Sequence, residues 1–392
     1  MKKNKILIIN HYAGAPKYGM RFRDYDISME LIKQGWEVCI IAATFSHLRS
    51  TPKCKSEIID GIHYRWIKVP SYKNYGFSRL LNMIMFPINF FFKKPDLPYT
   101  PDYIIASSPS PFTILNGIHL KRKFKAKFIY EIRDIWPLSI TELKNVSKNH
   151  PLIRVFDWLD NQGIKNADAV LSPLANISSY LKYKGFNKKV IIAPNGIPLM
   201  DITTIPDSPK DEKFVIGYGG SLSDSNSIMN LINAAKILKD QPEILFRIVG
   251  SGERENDIIN IIKEKKLNVE YLGRVSKEEF FKIMKSCDIL YKGNPKKELY
   301  KYGVSSIKMA EYLLLKKPII DASYGVEIME KARAGITVEE ENGEALVKGI
   351  LELKMKDEEE LKKMGENGFK YAQENFSYNN IVKNLIFNLN KL

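Results

Sequence analysis

Within nine residues the stretch Gly303-Val-Ser-Ser-Ile-Lys-Met-Ala-Glu311 combines a turn former, two hydroxyls, a cation and a carboxylate. Read as the start of a helix, Gly303 permits an unusual backbone turn and Ser305 or Ser306 is a good N-cap. The free N–H groups at that end attract an anion such as phosphate. Lys308 adds positive charge in the first turn. Glu311 falls about 9 Å along the axis from Ser305 and shares a face with Lys308 at i, i+3 spacing. That is roughly the separation of a diphosphate from the ribose of the same nucleotide, and a carboxylate can accept both ribose hydroxyls. A surface helix with one Lys–Glu pair has the same spacing, so this stretch needs partners elsewhere in the chain.

Three glycine-bearing turns are candidates: Gly217-Tyr-Gly219-Gly220-Ser221, Gly250-Ser-Gly252 and Gly273-Arg274. Each follows an apolar run, and none forms G-x-G-x-x-G, so a dinucleotide fingerprint is absent. In the first half, Tyr18-Gly19-Met20-Arg21-Phe22-Arg23 follows the first apolar run, where backbone N–H groups and Arg23 could meet phosphate or sugar. Arg133-Asp134-Ile135-Trp136-Pro137 follows another such run, a placement suited to a binding or catalytic loop. Asp24-Tyr-Asp26 has the D-x-D form of a metal clamp, but residues two apart on a helix diverge, and no metal is expected. His11, His47, His63, His119 and His150 form no ligand spacing.

The positioning elements follow from hydrophobic period. In the first half, β-branched runs (KILIIN, EVCIIAAT, IHYRWIKV, DYIIASS, AKFIYEI, DAVLSPL, KVIIAPN) alternate with helical patterns, including one over about Met20 to Gln34. Gly196 to Glu212, with three prolines, reads as a linker. Alternation restarts with KFVIGYGG, ILFRIVGSG, VEYLGRV, DILYKG and PIIDAS, and Ser276 with Glu279 marks a capping box. The predicted fold is α/β: two doubly wound Rossmann-like domains, residues 1–200 and 201–375, facing a central cleft, with a C-terminal helix at 376–392 that could pack back on the first domain. Such sheets bind ligands beyond the carboxyl ends of their strands.

Sixty Lys and Arg against 45 Asp and Glu give a formal charge of +15, suited to an anionic partner. No helix-turn-helix, RNA-recognition or zinc-finger pattern accompanies it, so a specific nucleic acid is not expected. Cys39, Cys54 and Cys287 give neither a disulfide framework nor a zinc site, which fits a reducing cytoplasm. The apolar segment Phe77 to Lys94 is too short to span a bilayer and has basic ends. It suits either an interfacial element on the inner face of the cytoplasmic membrane or a helix covering the first sheet.

Together, NHYAGAPKYGMRFR, YEIRDIWPLSITEL, APNGI, GYGGSL, YLGRV and LYKYGVSSIKMAEYLLLKKPII resemble the GT-B glycosyltransferases. The specific likeness is to the large retaining family of bacterial polysaccharide enzymes, nearest those of O-antigen and capsule synthesis using N-acetylated amino-sugar donors. The resemblance implies transfer from a UDP-sugar, without a further cofactor, to a polyprenyl-diphosphate-linked saccharide. Carried over, Glu311 holds the ribose, Ser305 and Ser306 the diphosphate, and the Arg274–Val275 backbone the base. Gly19, Gly220 and Gly252 lie near the donor, and Arg23 and Trp136 near the acceptor. Relatives often have a glutamate eight residues before the ribose one, where this chain has Gly303. Many have Arg and Lys after the GYGG-like turn, where GGSLSDSNS has neither, so Lys301, Lys308 or Arg133 is expected to neutralise the diphosphate. Arg133 stands where many relatives have His. Arg133, Asp134 and Lys308 are the catalytic candidates, and a nucleotide-sugar epimerase on the same fold is the alternative enzyme.

Overall fold

The computed structural model describes residues 4–19, 23–73, 76–143, 146–197, 205 and 211–392. Most of the expected linker, and Met20 to Phe22 in the expected first helix, lie outside the described residues. The chain forms two compact units, residues 1–196 with 378–392, and residues 197–377.

The first unit is built on eight strands: β1 (Lys5–Ile9), β2 (Glu37–Ala43), β3 (Ser56–Ile59), β4 (Ile62–Ile67), β5 (Tyr103–Ser107), β6 (Lys127–Glu131), β7 (Ala169–Ser172) and β8 (Val190–Ile192). They run in the order β3-β4-β2-β1-β5-β6-β7-β8, all parallel except the β3/β4 hairpin. The sequence reading missed β3, a short edge strand whose Ile58 faces outward, because one apolar face is too little signal. The final helix, Tyr378–Leu389, packs Tyr378, Ile381, Val382, Leu385 and Leu389 into this unit's core.

The second unit carries β9 (Phe214–Gly219), β10 (Ile244–Val249), β11 (Val269–Tyr271), β12 (Ile289–Asn294), β13 (Ile319–Ser323) and β14 (Gly335–Thr337), all parallel, in the order β11-β10-β9-β12-β13-β14. Alternation assigns its two faces. Val215, Leu290 and Ile319 meet Phe281, Met284, Met309 and Leu313 on one side. Ile216, Tyr218, Ile289, Tyr291 and Ile320 meet Leu231, Ala235, Leu346 and Ile350 on the other. Both faces are therefore covered, as β-branched runs without a polar face require. Each such Ile or Leu contributes about 1.5–3 kcal/mol by burial.

The strand orders locate the ligand-binding edges. The chain reverses direction between β1 and β5 in the first unit and between β9 and β12 in the second, and the crevice beyond the carboxyl ends of the strands opens at such a reversal.

Candidate nucleotide site

At the carboxyl edge of β9, β10 and β11 lies a cleft of about 660 Å³. Its floor is three strand-end turns laced together: the Gly220 N–H donates to the Val249 carbonyl at 2.9 Å, and the Gly250 N–H to the Gly273 carbonyl at 2.8 Å. Gly250 has φ +137°, and a Cβ there would stand 1.8 Å from the Gly220 carbonyl oxygen. The Gly250→Ala variant is therefore expected to lose roughly 3 kcal/mol, read as a lowered midpoint in thermal or urea unfolding.

Two helix starts form the walls. The Ser276 hydroxyl accepts from the Glu279 N–H at 3.2 Å and caps the Lys277–Ser286 helix. The Ser306 hydroxyl accepts from the Met309 N–H at 3.4 Å and caps the Ile307–Leu314 helix. Lys308 and Glu311 face the cleft together with Gly219, Gly220, Gly250, Arg274, Val275, Lys277 and Phe280.

Lys308 is the chemical centre. Its Nζ donates to the Tyr218 hydroxyl at 3.1 Å and the Asn226 Oδ1 at 3.2 Å, and lies 4.2 Å from the Tyr218 ring centroid. Both hydrogen-bond partners are neutral, and none of the described carboxylates forms an ion pair with this ammonium. Burial, with the positive charge of Lys292 behind it, pushes the Lys308 pKa down to about 7 against the opposing pull of Glu311. Close approach is possible because residue 220 is glycine: a Cβ there would stand 2.6 Å from the Lys308 Nζ. Tyr312 braces the same turn, its hydroxyl accepting from the Gly219 N–H at 2.7 Å.

Glu311 pairs with the Lys277 Nζ at 2.6 Å. Lys277 is exposed and leans over the Phe280 and Phe281 rings. Such an exposed pair is worth about 0–1 kcal/mol, so a ligand hydroxyl can displace it at small cost.

The structure thus gathers Gly220, Arg274, Val275, Lys308 and Glu311 into one cleft. Other residues singled out from sequence lie elsewhere. Lys301 is exposed, pairs with Glu298, and is not among the residues lining the cleft. Ser306 is occupied as a cap, and neither it nor Ser305 lines the cleft. Gly252 is a packing residue whose Cβ would stand 2.4 Å from the Leu222 carbonyl oxygen. Gly303 has φ +105° and ψ 157°, a region essentially closed to side chains, so a glutamate does not fit this backbone.

In the first unit, Arg133 and Asp134 leave β6 with their N–H groups directed at the Ser108 hydroxyl, at 3.0 and 3.3 Å. The Arg133 guanidinium lies 3.6 Å from Asp24, which also accepts from the Asn10 side chain at 2.8 Å. Burial works against the Arg133 charge, but Asp24, Glu131 and Asp134 outweigh it and hold the pKa above its ordinary value. The D-x-D aspartate Asp24 is therefore a counter-ion to Arg133. Asp134 is exposed, and Trp136 packs edge-on against Phe156 at 5.3 Å. Gly19, φ +92°, ends a short turn. The expectation for Arg23 is corrected: its side chain is 4% exposed, with Nε on Glu131 at 3.2 Å and Nη groups on the Pro194 and Ala193 carbonyls at 2.5 and 2.7 Å. With these donors committed inside the unit, Arg23 is a framework tie and not an acceptor contact.

Tyr218, Asn226, Lys277 and Tyr312 went unnoticed in the sequence. Only Lys277, beside the Ser276 cap, carried a local signal.

Residues 202–371 match the family described as Glycosyl transferases group 1. The chain is 26% identical over 223 residues to an uncharacterised glycosyltransferase of Methanocaldococcus jannaschii, covering 55% of this chain and 58% of that one. It is 26% identical over 194 residues to the candidate colanic acid biosynthesis glycosyl transferase WcaI of Escherichia coli, covering 45% and 46%. The chain thus spans about half the length of these curated relatives. Sucrose-phosphate synthase of Thermosynechococcus elongatus shares the fold at TM-score 0.70 and 16% identity, over 99% of both chains. Anabaena HepE, solved with UDP and glucose, does so at TM-score 0.65 and 17% identity, over 99% and 100%. The likeness to these solved structures establishes the fold, two Rossmann-like α/β domains.

Proposed function

We propose that this chain, with its glycosyl transferases group 1 segment in the second unit, is a retaining glycosyltransferase. It would take a UDP-sugar, an N-acetylated amino sugar by sequence resemblance, and build a cell-surface polysaccharide such as O-antigen or capsule on a polyprenyl-diphosphate-linked saccharide. The observation that carries the nucleotide reading is Lys308: a half-buried ammonium facing a cleft, near a helix start, whose hydrogen-bond partners among the described residues are neutral oxygens. A diphosphate supplies the missing negative charge. Glu311, one turn further along the helix, accepts the ribose hydroxyls, and the Arg274–Val275 backbone borders the base.

In this reading the chemistry is stabilisation of the leaving diphosphate. As the bond from the sugar anomeric carbon to the diphosphate oxygen breaks, Lys308 and the free N–H groups of its helix meet the charge that develops. The departing oxygen stays beside the acceptor hydroxyl and takes its proton, so the new bond forms on the face the diphosphate leaves. By sequence resemblance, Arg133, Asp134 and Trp136 are the first unit's candidates for the acceptor and sugar. WcaI, named for colanic acid biosynthesis, and HepE, solved with UDP and glucose, support the class of substrate.

Titration calorimetry with UDP and UDP-N-acetylhexosamines, followed by turnover with a lipid-linked saccharide, tests the reading. Heat of binding and acceptor-dependent UDP release are expected. Sugar conversion without acceptor would replace the transferase with an epimerase.

Membrane attachment belongs to the same proposal. None of the described helices is long and apolar enough to cross a membrane. The Phe77–Lys93 helix nevertheless exposes Phe77 (80%), Leu81, Ile88 and Phe92 (83%) at spacings of four, seven and four, one continuous stripe. No acidic residue occurs from Phe77 to Lys94, and the C-terminal end carries Lys93 and Lys94. Apolar stripe and basic flank together suit an anionic lipid surface. The Phe77→Ser/Phe92→Ser pair is expected to lower partitioning onto phosphatidylglycerol vesicles about tenfold in a sedimentation assay. Unchanged partitioning would remove the interfacial role.

A further inference from the structure

The Phe77–Lys93 helix runs back across the first sheet. Its Asn82 side chain meets His11 just beyond the end of β1, at 2.7 Å, and Lys94 lies about 18 Å further along the axis. The chain then enters β5 at its first residue, so the helix ends at the amino edge of the sheet, opposite the loop that carries Arg133 and Asp134. There it closes a groove of about 550 Å³ with residues 95–100 and the end of the Thr113–Phe124 helix. Phe90, Phe91, Leu97, Leu120 and Phe124 supply apolar walls, and Phe91 meets the His119 ring edge-on at 5.0 Å, joining the two helices. The floor is fixed from below: the Tyr99 hydroxyl donates to the Ile6 carbonyl at 2.8 Å and lies 3.0 Å from the Glu37 carbonyl, at the starts of β1 and β2. The volume is in the range of small-molecule sites.

The surroundings of the groove are cationic. Lys94 and Lys123 line it, both exposed, and Lys93, Arg122, Lys125 and Lys127 adjoin them in sequence. Asp96 is the one carboxylate among the lining residues, and Arg65 holds its backbone carbonyl. Basic residues are common at helix ends. Yet none of these cations forms an ion pair among the described residues, whereas in the second unit Lys277, Lys282, Lys301, Lys331, Lys354 and Lys356 each pair with a carboxylate. Apolar walls with an unneutralised cationic rim fit one class of ligand, an anion that carries a hydrocarbon chain. We propose that the groove seats one acyl chain of an anionic phospholipid, with Lys94 and Lys123 on its phosphate. The proposal deepens the membrane reading above and rests on it: the exposed Phe92 stripe lies on the lipid surface, and the groove beside it takes up a single lipid. Because the groove is at the edge away from Arg133, this lipid is an anchor and not the acceptor.

Calorimetry with dihexanoyl-phosphatidylglycerol, kept below its micelle concentration, presents single lipid molecules to the protein. The wild type is expected to bind it about 30-fold more tightly than dihexanoyl-phosphatidylcholine, whose headgroup has no net charge, at about fivefold per lysine. Glycerol phosphate, the headgroup without chains, is expected to bind at least 100-fold more weakly than the lipid, each seated methylene being worth about fourfold. The Lys94→Gln/Lys123→Gln variant, changed at two exposed side chains, should bind the two lipids alike. Leu97→Trp, which fills the groove, should lose both. Equal wild-type affinity for the two lipids, glycerol phosphate binding as tightly as phosphatidylglycerol, or undiminished binding in either variant would overturn the proposal. Neither Phe77 nor Phe92 lines the groove, so the Phe77→Ser/Phe92→Ser pair is expected to keep its single-lipid affinity while partitioning less onto vesicles. Vesicle partitioning by a protein that binds no single lipid overturns the groove alone. Single-lipid binding by a protein that ignores vesicles overturns the surface reading alone.

Discussion

The Lys308→Met variant is expected to bind UDP about 100-fold more weakly than the wild type at pH 6.5, measured by titration calorimetry. A hydrogen bond to a charged group contributes about 1.5–3 kcal/mol, and in the proposed complex the ammonium meets a diphosphate in a cleft where its partners among the described residues are neutral. The wild type should also take up a proton on binding near pH 8, because Lys308 is largely neutral there when the cleft is empty, and the diphosphate restores its charge. Calorimetry in two buffers of different ionisation enthalpy reads this uptake, which Lys308→Met abolishes. The same shift has a signature in stability. The folded-state pKa lies below the unfolded value, so the unfolded chain holds more protons between about pH 7 and 10.5, and this residue's contribution to stability rises with pH across that window. Undiminished affinity in Lys308→Met would remove the residue from the site.

The Glu311→Ala variant is expected to lose about 30- to 100-fold in UDP affinity, with a diagnostic selectivity. If the carboxylate accepts the ribose hydroxyls, the wild type should prefer UDP to 2′-deoxy-UDP by about tenfold, and Glu311→Ala should bind the two alike. On that reading, Lys277, now bridged to Glu311, would move aside for the ribose. A general loss of affinity with the deoxy preference intact would place Glu311 in the wall of the cleft and not on the sugar.

Much of the second unit was legible because its signals are local. β9, β10, β12 and β13 each open on a short apolar run and lead into turn residues, a local signal that declares a strand without knowledge of its neighbours. The three-residue β14 was not read, since its place depends on pairing with β13 at the sheet edge. The site divides the same way. Lys308 and Glu311 were found from spacing on one helix, whereas Tyr218 and Tyr312 are separated by 94 positions in the chain and meet the same glycine turn only after the sheet forms. Arg23 shows the converse. An arginine after a loop suggests a ligand contact, but the Ala193 and Pro194 carbonyls that engage it lie 170 and 171 residues away.

From sequence alone came the periods of the strands and helices, the two α/β domains they imply, and one helix start able to offer an anion site and a carboxylate on the same face. Those follow from sterics and hydrogen bonding within a few residues. Tertiary structure decided which charges are used and which are spent: Asp24 on Arg133, Arg23 on two carbonyls, Lys301 on a surface glutamate, and Lys308 left facing a cleft with neutral partners and Lys292 behind it. The reason is that the strength of a charge depends on burial and on the sign of its nearest neighbours, and both are set by residues distant in the chain.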